Sequence, residues 1–180
     1  MPRAPKPPKP SSEQLAAVHG DFNRYHRHDA LYDYSCHTPD IADLSTLRRA
    51  LQDPEYPVVR SAAVSIGKLG PAAREAERDL FVAARRADTA LDIPQSYCEC
   101  LDALIAIGAE PDAIVELVFS NFGHTNWGYV RSSMHALHRL ATPKALDLLG
   151  RVVTFWWPDL NKRERAYVQK HFGEWTKGAA

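Results

Sequence analysis

Three histidines and three tyrosines crowd into the stretch YHRHDALYDYSCH, residues 25–37. His26, His28, Asp29 and His37 are metal-ligand types. A bound metal needs side chains that converge, and positions two apart on a helix, such as His26 and His28, point to different sides. The preferred reading is a helical cap that packs its aromatics, with no metal assigned. Cys98 and Cys100 fail in the same way: two apart on a helix they diverge by roughly 200°, and they do not form a CxxC pair. His135 and His138 share a helix face within reach of a third ligand such as His124, but the spacing does not require one. GKLG at Gly67 lacks the upstream Gly and the following Ser or Thr of a phosphate-binding loop. There is no GxSxG, HExxH or dinucleotide fingerprint. No catalytic residue, metal or cofactor is assigned, and the chain is not expected to be an enzyme.

The elements that would position these groups repeat. VRSAAVSIGKLG (59–70) returns as VRSSMHALHRLA (130–141), without a gap, 71 residues later. Half that separation is near the period of paired-helix repeats, and a third copy, YCECLDALIAIG (97–108), lies between them. It keeps the apolar phase at Tyr97, Leu101, Leu104 and Ile107 but has Cys98 where the others have Arg. Apolar spacings of three and four predict helices buried along one stripe. Each copy has an upstream partner: Leu44, Leu47 and Leu51; Ala76, Leu80 and Ala84; Ile114, Val118 and Phe122. A fourth pair is marked by Leu146, Leu149 and Val153, then by Ala166, Tyr167 and Phe172. Pro39, Pro71, Pro111 and Pro143 fall at predicted helix starts, where a missing N–H does no harm. Asn161 with Glu164, and Ser11 with Gln14, have capping-box spacing. Gly67 allows a close helix approach.

This pattern resembles the HEAT-repeat family, including its short bacterial type. The residues that carry it are Asp53, Pro54, Val59, Arg60, Ala63, Ile66, Leu69 and Gly70 in the first copy, and Asn126, Val130, Arg131, Leu137 and Leu140 in the third. Residues 39–141 match well and 142–173 weakly, and armadillo repeats share much of the motif. The resemblance implies an all-α, right-handed α-solenoid of about four helix pairs: 39–70, 71–108, 111–141 and 142–173. A helical cap (11–38) precedes them. It also implies an Asp–Arg ladder, making Asp53, Arg60 and Arg131 structural. The Pro/Lys-rich tail (1–10) and residues 176–180 are expected to be flexible.

Composition narrows the function. Hydrophobic residues make up 45% of 180, enough for one continuous core, and no apolar run is long enough to span a bilayer. Three cysteines suggest no disulfide framework, so a cytoplasmic protein is expected. Net charge is zero, which disfavours nucleic acid, since phosphate binding needs clustered Lys and Arg. The expected function is protein binding, as an adaptor, assembly factor or toxin-neutralising immunity protein. Ser61, Val64, Ser65, Lys68, Glu99, Asp102, Ser132, His135 and Arg139 would line a concave face. Tyr56, His124, Trp127, Tyr129 and Trp157 would lie on an aromatic turn edge, where Trp and Tyr often anchor partners. The alternative is a HEAT-like enzyme acting on nucleic acid. In DNA glycosylases of that type Trp, Tyr and Asp hold the base, here suggesting Trp127, Tyr129, Trp156, Trp157 and Asp159. The balanced charge argues against it.

Overall fold

A computed structural model describes residues 11–12, 15, 24–89, 94–123 and 126–177. All regular structure among them is helical. Helix α1 is Arg24–Ser35. After a 3-10 turn at Ile41–Asp43 come α2 (Leu44–Ala50) and α3 (Tyr56–Leu69). A second 3-10 turn, Gly70–Ala76, leads into α4 (Glu77–Thr89), followed by α5 (Pro94–Ala106). Then come α6 (Pro111–Ser120), α7 (Trp127–Leu140), α8 (Pro143–Trp156) and α9 (Lys162–Phe172).

Local chemistry sets these boundaries. Pro57, Pro71, Pro111 and Pro143 each sit in a first turn, where the amide has no intrahelical partner. Pro39 differs: it stands before Asp40, whose carboxylate accepts from the Ala42 N–H at 3.0 Å and caps the 3-10 turn. Asn126 and Thr142 cap α7 and α8 through their side chains. The Asn161–Glu164 capping box forms as expected, with both reciprocal bonds present. Gln14, the partner expected for Ser11, lies outside the described residues, as do the tail 1–10 and the last three residues.

The helices sort into two compact units, Met1–Ala109 and Glu110–Ala180. In the first unit α3 is central, packing against α1, α2 and α5, while α5 also packs on α4. The apolar stripes expected of α2, α4 and α5 are buried, including Leu47, Leu80, Leu101 and Leu104. Each such side chain contributes about 1.5–3 kcal/mol. A Cβ added at Gly67 would sit 3.3 Å from the Ala103 Cα, so glycine lets α3 and α5 approach as the sequence suggested. Polar ties cross the same unit. Arg86 donates to the carbonyls of Leu51, Gln52 and Asp53 at 2.7–3.0 Å. Arg48 donates to Asp79 at 2.5 Å.

In the second unit α8 packs on α6, α7 and the closing 3-10 turn Gly173–Thr176. Ile114, Val118, Leu149 and Val153 are buried as expected. The last pair keeps only part of its expected stripe. Phe172 is buried as expected, but Ala166 is exposed, Leu146 and Tyr167 are half-buried, and Val168, which was not expected, joins the core. The helix α9 is poor in large apolar residues, so spacing alone fixes its rotation only weakly.

Candidate functional site

Helices α1 and α5 flank α3, and their exposed ridges enclose a hollow of about 760 Å³. Tyr56, Arg60 and Val64, spaced by one helical turn, form its α3 wall together with Ser61. His28, Asp29 and Tyr32 come from α1; Ser96 and Glu99 come from α5. Four predicted residues therefore meet here: Ser61, Val64 and Glu99 from the concave set, and Tyr56 from the turn edge. Tyr56 is the first residue of α3, so it follows the helix face. The α1 wall was missed by the groove reading, although the four-residue spacing of His28 and Tyr32 was visible in the sequence.

The polar groups of the hollow are paired loosely. Arg60 Nε lies 3.4 Å from Glu99 Oε1, and His28 Nδ1 lies 3.3 Å from Asp29 Oδ1. The rings of His28 and Tyr32 are 6.0 Å apart. Tyr32 is 54% exposed. The Ser96 hydroxyl donates to the Tyr56 carbonyl at 3.1 Å, fixing α5 against the start of α3.

A second surface belongs to the other unit. Phe119 at the end of α6 is 49% exposed, and Phe155 at the end of α8 is 54% exposed. Phe122 lies 6.3 Å from the first ring and 4.9 Å from the second. Phe122 and Phe155 border a shallow depression of about 750 Å³ that also takes in Leu146, Arg151 and Trp175. The Arg151 guanidinium stands over the Phe119 ring at 5.6 Å. Phe119 and Arg151 were not among the predicted residues. Phe119 belongs to the helical phase of α6 and carries no turn signal.

The other predicted residues are placed as follows. Ser65 is fully buried, its hydroxyl donating to the Ser61 carbonyl at 2.9 Å, so it cannot line a groove. Lys68 is exposed but donates to the carbonyls of Ser35 and His37, closing the C-terminal end of α1. Asp102 and Arg139 are exposed, and Ser132 is half-buried. His135 is not an open groove residue. Its Nε2 is 2.5 Å from the Tyr167 hydroxyl, and Phe172 and His171 stack around it, because α9 covers that face. Tyr129 is 1% exposed and belongs to the core rather than to a binding edge. Trp127 is half-buried, edge-on to Tyr167 at 6.0 Å. Trp157 is half-buried beneath Arg165, which also donates to its carbonyl. His124 lies outside the described residues.

The residues expected to form an Asp–Arg ladder take other partners instead. Asp53 pairs with Arg27 of α1 at 3.0 Å, Arg60 with Glu99, and Arg131 stands 5.9 Å over Tyr167. Cys100 is buried, and burial pushes its thiol up to about 12; Cys98 is half-buried. None of Trp127, Tyr129, Trp156, Trp157 and Asp159 lines the two hollows. Among the described residues no three His, Cys, Asp or Glu side chains come together as a metal site, and no helix is long and apolar enough to cross a membrane. Comparison with family models, curated proteins and solved structures finds no match to this chain.

Proposed function

We propose that this chain is a HEAT-like α-solenoid that binds a protein partner in the cytoplasm, docking it on the aromatic edge formed by Phe119, Phe122 and Phe155. The observation that carries the reading is the exposure of Phe119 and Phe155, two rings joined through Phe122, with Phe122 and Phe155 bordering the depression. Leaving large rings half in water forfeits hydrophobic stabilisation that a partner's apolar side chains would recover. Arg151, held over Phe119, adds a cation at the rim and favours a partner that presents an acidic residue next to its apolar anchor. The repeat reading is supported by the sign of φ where the copies end. The residues that close the three copies, Gly70, Gly108 and Ala141, all have positive φ, at 61°, 72° and 52°.

The test is affinity capture with the tagged full chain and with a Phe119→Asp/Phe155→Asp double variant. A stoichiometric protein recovered by the wild type and lost by the folded variant supports the reading. Recovery of the same proteins by both removes this edge from consideration. Whether the module serves as an adaptor, an assembly factor or an immunity protein then follows from the identity of the partner.

A further inference from the structure

The hollow between α1, α3 and α5 lies in the other compact unit and is separate from the aromatic edge. Its volume, about 760 Å³, is in the range of clefts that enclose a ligand, and is more than a bound ion needs. Two carboxylates, Asp29 and Glu99, stand on opposite walls, against the single guanidinium of Arg60. Among Asp29, Glu99 and Arg60 the balance is negative. Two tyrosines, Tyr32 and Tyr56, line it as well, and Val64 and Pro57 provide apolar wall. Arg60 and Glu99 touch only at 3.4 Å and both remain partly open to solvent, so their pairing is weak and exchangeable.

We infer that this hollow receives an arginine or lysine side chain from an extended peptide segment, with the cation between Asp29 and Glu99 and against the tyrosine rings. An aromatic face attracts a cation through its quadrupole, and guanidinium matches a carboxylate in a planar, two-point geometry. The flanking apolar wall takes the methylene stem, which long basic side chains bury while their heads stay polar. Arg60 is then a competitor: it holds Glu99 until the ligand replaces it.

The test titrates the full chain with acetyl-Leu-Arg-Leu-amide and with its Leu-Glu-Leu counterpart, by calorimetry. The arginine peptide is expected to bind saturably and at least about tenfold more tightly than the glutamate peptide. Replacing both carboxylates, Asp29→Asn with Glu99→Gln, should weaken it about tenfold or more. Tyr32→Ala, at an exposed position, should weaken it about threefold. Arg60→Gln should tighten it, because Glu99 is released. An anion site would do the opposite, losing its ligand in Arg60→Gln. The inference is overturned if the glutamate peptide binds as well, if neither peptide binds, or if binding survives the carboxylate and Tyr32 variants. The Phe119→Asp/Phe155→Asp variant should bind normally. Loss there would move the peptide to the other unit and equally overturn the inference, whereas failure of the aromatic edge to capture a partner leaves this hollow standing.

Discussion

Tyr34 shows how one hydroxyl holds a loop in place. The ring is fully buried, its hydroxyl donates to Asp43 at 2.6 Å, and it accepts from the Asp40 N–H at 2.9 Å. The three groups join the end of α1 to the start of the next pair. Tyr34→Phe keeps the packing but leaves a buried carboxylate oxygen and an amide without their partner. The expected loss is about 1–3 kcal/mol, read as a lower urea midpoint with unchanged helical circular dichroism; an unchanged midpoint would show that water replaces the hydroxyl. Burial, then the bond to Asp43, raises the Tyr34 pKa above its usual 10.0. Cys100 moves the same way, from 9.0 to about 12, because it is buried. For an acid raised on folding, the unfolded chain releases its proton first, so stability is fully present below the unfolded pKa and is lost as pH climbs towards the folded one. The Cys100 contribution should therefore vanish between about pH 9 and 12. Urea midpoints compared at about pH 7.5 and about pH 10, below and above the ordinary thiol value of 9.0, should fall more in the wild type than in Cys100→Ala. Equal falls would mean that the thiol is not the group responsible.

Helices were the most legible feature of the sequence, and the reason is periodicity. The stripes of α2, α4 and α5 are rich in Leu and Ala at helical spacing, and the structure buries them. Capping at Asn161 and the glycine approach at Gly67 were visible because each depends on local residues. The candidate site was only half legible. Ser61, Val64 and Glu99 follow from the copies that could be aligned, and Tyr56 from the turn before the first of them. The α1 wall does not, because α1 belongs to no repeat copy and its register against α3 is a tertiary choice. His135 misled for the same reason: its helix position is open until α9, poor in apolar residues, packs over it. Ala141 offers a test at this scale. It adopts the left-handed αL conformation, with a positive φ like the glycines that close the other two copies, and a side chain there is strained. The left-handed conformation costs a side chain about 1–2 kcal/mol and glycine's extra freedom offsets about 0.5–1 kcal/mol, so Ala141→Gly should stabilise the chain by up to about 1 kcal/mol, seen as a higher melting temperature. A lower one would mean that the Ala141 methyl makes a contact worth more than the strain.

Charge and exposed apolar surface act on the whole molecule together. Acids and bases are equal in number, the net charge at pH 7 is zero, and the isoelectric point is near 7.1. Molecules without net charge do not repel one another, so short-range attraction between apolar patches decides whether they associate. The Phe119–Phe122–Phe155 edge is such a patch, and Phe155 is its most exposed ring. Self-association should therefore be greatest close to pH 7.1 and fall on both sides, where the chain gains net charge. Light scattering at fixed concentration across that range measures it. Phe155→Asp removes the ring and adds a negative charge, so it should lower scattering most at neutral pH and move the maximum to lower pH. A maximum that shifts without falling would assign the association to net charge alone. A scattering profile unaffected by the substitution would place the adhesive surface elsewhere, and would weaken the case for this edge as the docking surface. The measurement thus bears on function as well as on solubility, because the same exposed rings are required to do both.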